Sequence, residues 1–68
     1  MGASNWVHLE NCDVVRLTER AVLVKYDGAT VWLPLSQIDD PDRLEEGDKG
    51  ITVSITEWLA NEKGLEGD

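Results

Sequence analysis

With one cysteine, Cys12, and one histidine, His8, in 68 residues, the chain is short of two kinds of chemistry. An internal disulfide needs a second sulfur, and a structural zinc site needs four ligands of the Cys or His type. Runs of about 18 apolar residues are also missing, so the sequence encodes no membrane-spanning helix. The stretch Met1-Gly2-Ala3-Ser4-Asn5-Trp6-Val7-His8 has neither the basic start nor the apolar core of a signal peptide, and Trp6 stands where an N-terminal acylation signal needs Ser or Thr. The expected setting is a reducing cytoplasm without membrane association. Lys and Arg number only six, too few and too scattered for the clustered phosphate contacts of direct nucleic-acid binding.

What is abundant is negative charge, and it is unevenly placed. Of fourteen carboxylates, ten follow Ser36 and meet only Arg43, Lys49 and Lys63, so most of the formal net charge of −8 lies in the second half of the chain. An imbalance of this size sets a long-range field that governs partners and association rates rather than fold. The hydrophobic fraction of 41% is that of a folded domain and not of a disordered acidic tail. One small domain, residues 1–68, with one modest core is expected; chains this short bury roughly 60% of their unfolded surface.

The clearest local signal is a hairpin. Asp27-Gly28 between the runs Ala21-Val22-Leu23-Val24 and Val31-Trp32-Leu33 calls for a two-residue turn with positive φ at both positions. That turn opposes Val22 to Leu33, Val24 to Val31 and Tyr26 to Ala29 on a core face, and Leu23 to Trp32 and Lys25 to Thr30 on the other. The C-terminal helix is expected to cover Trp32 and Leu23. Left uncovered, they make an apolar anchor for a partner. Upstream, Trp6 to Thr18 reads as one or two strands with a bend at Asn11, and Glu19-Arg20 as the next turn. Pro34 ends the third strand, Leu35 to Ile38 turns Ile38 into the core, and Lys49 to Ser54 reads as a fourth strand. A helix over about 55–63 follows, capped by Ser54 or Thr56, with Trp58, Leu59 and Glu62 on one face, and closed at Gly64 with Leu65 folding back. The expected fold is mainly β: a small antiparallel meander, or an SH3- or OB-like partial barrel of about four strands, with one short C-terminal helix.

Between strands three and four lies an acidic loop, residues 39–48, with six carboxylates: Asp39, Asp40, Asp42, Glu45, Glu46 and Asp48. Clustered oxygens suit calcium or magnesium, but Pro41 interrupts the alternation of ligands that an EF-hand loop requires. No metal and no cofactor is implied. His8, Cys12 and Asp13 have the composition of an activated thiol, yet positions 8 and 12 of a regular strand stand about 13 Å apart on one side. Cys12 reads as a small buried hydrophobe, and no enzymatic activity is expected.

Two blocks carry a resemblance. Val31-Trp32-Leu33-Pro34-Leu35-Ser36-Gln37-Ile38, after the Asp27-Gly28 turn, and Glu57-Trp58-Leu59-Ala60-Asn61-Glu62-Lys63-Gly64-Leu65 resemble a group of short proteins of phages and mobile elements, over about residues 15–65. Leu35 stands where a basic residue is expected in that group. The resemblance implies a phage or prophage setting and brings no catalytic residue. By size and charge alone, very small acidic phage proteins also include inhibitors of host CRISPR and restriction systems.

The functional expectation is a non-enzymatic protein that binds a basic surface of a host protein, its carboxylates imitating the phosphates of DNA. Asp39, Asp40, Asp42, Glu45, Glu46 and Asp48 form the first candidate set, and Glu57, Glu62, Glu66 and Asp68 the second. Mimicry requires the two sets to share a face. The alternative is an interaction module docking through Leu23 and Trp32, a homodimer being one form of it. The plain alternative to both is that the acidic residues only solvate one side of a small domain.

Overall fold

The computed structural model describes residues 5–65. Glu66 and Asp68 of the second acidic set lie outside them. Four strands, β1 (Trp6–Leu17), β2 (Ala21–Tyr26), β3 (Ala29–Pro34) and β4 (Ile51–Thr56), form one open antiparallel sheet in the order β3-β2-β1-β4, and the helix α1 (Glu57–Lys63) follows β4 directly. The fold is mainly β, as the alternation and turn signals require.

β2 and β3 pair in the register set by the Asp27-Gly28 turn, from Tyr26 opposite Ala29 to Ala21 opposite Pro34. Both turn residues have positive φ, 53° and 82°, the conformation that Asp tolerates and Gly adopts freely. Val22, Val24 and Leu33 are fully buried, with Tyr26 and Val31 packed at the margin of the core.

β1 is long enough to serve two partners. Its C-terminal half pairs with β2 and its N-terminal half with β4. Between them the register with β4 shifts from Leu9 to Cys12, and Asn11 has φ 62°. This bulge moves the inward positions of the strand by one, so Leu9, Cys12 and Val14 all face the core. The sequence pattern, which placed His8 and Cys12 on one side, is corrected here: His8 lies exposed, its Nδ1 2.6 Å from the Ser54 hydroxyl, while Cys12 is buried.

Of the two caps that the sequence offers, Ser54 and Thr56, it is Thr56 that caps α1, so the helix starts at Glu57. The Thr56 hydroxyl accepts from the Leu59 amide at 3.2 Å and donates to Gln37 Oε1 at 2.8 Å, which ties the helix start to the turn after β3. Gly64, at φ 66°, ends the helix, and the Leu65 amide donates to the Ala60 carbonyl at 2.8 Å, the returning bond of a glycine-terminated helix. Two expectations about tryptophans fail. Leu59 and Ala60 carry the buried face of α1 while Trp58 is 61% exposed, and Trp32 is 44% exposed rather than covered by the helix. A seven-residue helix that inserts Leu59 and Ala60 into the core lies on the inner side of the sheet, whereas Trp32 points from the outer side.

A candidate acidic groove

The acidic loop is held at both ends and in its middle. After Pro34, a single turn of 3₁₀ helix, Leu35–Gln37, delivers Ile38 to the edge of β4, where it bridges Ile55 and where the Asp39 amide donates to the Ser54 carbonyl at 2.9 Å. Asp40, at φ 55°, turns the chain outward into a second 3₁₀ turn, Pro41–Arg43. Leu44 then returns to the core and is 8% exposed.

The remainder of the loop docks on β1. The Val14 amide donates to the Asp48 carbonyl at 2.7 Å and the Gly47 amide to the Val14 carbonyl at 2.9 Å. Two of the carboxylates are tied into this framework: Glu46 accepts from the Leu17 amide and Asp48 from the Glu45 amide, each at 3.0 Å. A third carboxylate, on Asp13, accepts from the Gly50 amide at 3.1 Å. Charge-assisted bonds of this kind exceed neutral ones in strength, and with the two backbone bonds to Val14 they join residues 46–50 to β1.

Between the loop and β4 lies a cavity of about 300 Å³. Ile38, Leu44, Ile51 and Val53 give it an apolar floor, while Asp39, Asp40, Glu45 and Asp48 stand around it. Arg43 and Thr52 complete the wall. Arg43 lies 3.9 Å from Asp40 in an exposed pair, a contact worth little in water. Four carboxylates against one guanidinium leave the groove negative.

The other predicted carboxylates do not join it. Asp42 is exposed on the outward 3₁₀ turn, and Glu46 faces β1. Glu57 and Glu62 are exposed on α1, which leaves the far end of β4. That end is five strand steps, roughly 17 Å at 3.3 Å each, from the loop's return at Ile51. It is close to the loop's start, since the Asp39 amide bonds the Ser54 carbonyl three residues before Glu57, but neither Glu57 nor Glu62 lines the cavity. Among the described residues, no three His, Cys, Asp or Glu side chains are arranged to hold a metal ion, and no helix is long and apolar enough to cross a membrane.

Two further sites of the sequence reading have a definite place. On the outer side of the sheet, Leu23 pairs with both Arg16 and Trp32, so a cation, a half-buried Leu and an exposed Trp form one cross-strand row. Cys12 is the opposite case: its thiol donates to the Leu9 carbonyl at 3.2 Å. Burial pushes it up to about 11 and the charge of Asp13 adds to the rise, against a partial offset from the Val53 backbone. The thiolate needed for nucleophilic attack is thereby suppressed. Modification of the native protein by a thiol reagent near pH 8 is expected to be at least ~50-fold slower than that of the denatured chain, measured by absorbance on mixing. The sign for stability follows. The fold holds the neutral thiol, so this contribution is complete below the ordinary pKa of 9.0 and is lost as the pH rises toward 11.

The features that sequence reasoning missed are Leu44, the open edge of β4 at Thr52 and the Gln37–Thr56 tie. Leu44 had a signal, being the one large apolar residue between Asp39 and Gly50. No protein-family model, curated protein or solved structure matches the chain.

Proposed function

We propose that the chain is a non-enzymatic binding protein that uses the groove beneath its acidic loop to engage a basic surface of another protein, and that it inhibits a nucleic-acid-binding complex in the cytoplasm of a phage-infected host. The observation that carries this reading is the gathering of Asp39, Asp40, Glu45 and Asp48 around one apolar-floored cavity. The docked loop fixes the backbone that carries these carboxylates, which lowers the cost of ordering it on binding, and a surface built for phosphates attracts them for the same electrostatic reason. In this reading contact is centred on the loop, with Glu57 and Glu62 adding to the field, and imitation of an extended duplex by both acidic sets together is not part of it.

Binding of this kind weakens steeply with salt and is competed by duplex DNA. Titration of a basic DNA-binding protein at low and at high ionic strength tests it. An affinity lower by a factor of ten or more at the higher salt, roughly 1.4 kcal/mol, is the expected result, and an affinity indifferent to salt sinks the proposal.

A second reading has its own observation, the exposure of Trp32 beside Leu23. Aromatic anchors dominate protein interfaces, and docking through this row, including as a homodimer, would be insensitive to salt and abolished by Trp32→Ala.

A further inference from the structure

The two edges of β4 are used differently. One pairs with β1 along its length. The other meets only the chain leaving β3, through the Ile38–Ile55 bridge and the bond from the Asp39 amide to the Ser54 carbonyl. Because Ser54 turns its carbonyl to this outer edge, antiparallel alternation turns the amide and carbonyl of Thr52 the same way. Continuing the register of Ile38 opposite Ile55, the residue that would face Thr52 is Pro41, which has no amide hydrogen. Asp40 before it has φ 55° and has already turned the chain off the edge. Among the described residues, no backbone hydrogen bond extends this edge past Asp39. Thr52 is exposed and lines the same cavity as the carboxylates.

We infer that the groove is a strand-addition site, in which an extended basic segment of a partner protein pairs its backbone with Thr52 and sets its cationic side chains among Asp40, Glu45 and Asp48. This rests on the proposal that the groove receives a basic partner, and it adds the mode of recognition. An open strand edge offers backbone bonds to any sequence, and the surrounding side chains choose among sequences. Lys and Arg match what surrounds this one: an aliphatic stem lies over Leu44 and Ile51 while the charged head reaches the carboxylates. A second copy of the chain is a poor occupant, since its net charge of −8 is repelled by the same rim. The carboxylates thus guard the edge against self-association and admit a cationic strand.

The test uses the full-length ¹⁵N-labelled chain and a short synthetic peptide alternating Lys and Val. Two further versions carry N-methyl groups on one or the other alternate set of backbone amides. The parent peptide is expected to bind at low salt and to slow hydrogen exchange of the Thr52 amide. At least one N-methylated version is expected to bind about tenfold more weakly, because its pairing amides are lost while its charge is kept. If both N-methylated peptides bind within about twofold of the parent and exchange at Thr52 is unchanged, strand addition is overturned and charge-driven binding to the groove survives. Failure of the parent peptide to bind at all overturns both.

Discussion

The triple variant D39N/D40N/E45Q is expected to bind a basic protein surface roughly 100-fold more weakly than the native chain at low ionic strength, a loss of about 2.7 kcal/mol. The three residues line the groove and are exposed. A rim charge facing a cation contributes on the order of 1 kcal/mol, so three together account for the figure. Asp48 is left intact because its carboxylate holds the Glu45 amide, and its loss would loosen the loop as well as neutralise it. The control is E57Q/E62Q, which removes two exposed charges on α1 that do not line the groove and is expected to change affinity by less than about threefold. If both variants lose affinity in proportion to charge removed, the field of the whole molecule is responsible and the groove is not. Calorimetric titration, with circular dichroism confirming that each variant is folded, separates the outcomes.

The second large effect is on stability. Leu44→Ala is expected to destabilise the protein by about 2 kcal/mol, the lower end of the range for a Leu buried in a core, since Leu44 sits at the margin of this one and keeps 8% of its surface exposed. In a domain of this size that loss lowers Tm by about 8–16 °C. The same substitution weakens binding, because Leu44 anchors the turn that carries Asp40 and Glu45. Trp32→Ala is the contrast: nearly half of that side chain is already in water, and its removal is expected to shift Tm much less. An unchanged Tm for Leu44→Ala would mean that the loop does not dock on the core.

These two residues also mark what the sequence made legible. Trp32 was placed opposite Leu23 and away from the core set by a two-residue turn, since turn length fixes register and register fixes the face. Whether another element covers that outer face depends on the path of α1, and a helix whose apolar residues are Leu59, Ala60 and Trp58 offers two ways to orient itself. Packing chose Leu59 and Ala60, so both Trp58 and Trp32 remain in solvent.

The bulge at Asn11 is a case in between. Asn marks a bend because it tolerates positive φ, but the number of residues that the bulge adds, and therefore the side on which Cys12 emerges, depends on β4 pairing from 40 residues away. Alternation carried straight through Asn11 puts Cys12 on the same side of the strand as His8; the shifted register places Cys12 in the core and leaves His8 exposed.

The acidic loop shows the same division in the candidate site. Its charge, its bounding Pro41 and Gly47, and its distance from any calcium-loop pattern are visible residue by residue. Its docking is not, because the bonds that hold it join Glu46 to Leu17 and Asp48 to Val14 across nearly half the chain. Long-range closure of this kind leaves no periodicity to read. The groove exists only because Asp40 and Pro41 end the pairing that Ile38 and Asp39 begin on β4, and that consequence appears only when the partner strand is known.

Both readings of function predict an interface, and they place it on different parts of the molecule. One uses the groove between the loop and β4, the other the outer row of Arg16, Leu23 and Trp32. Mapping amide shift changes on the ¹⁵N-labelled chain during titration with a basic DNA-binding protein distinguishes them directly. The acidic-groove account predicts changes concentrated at Asp39 to Asp48 and Ile51 to Val53, fading as salt is raised. Changes confined to Arg16, Leu23 and Trp32, or a pattern unaffected by salt, would contradict it.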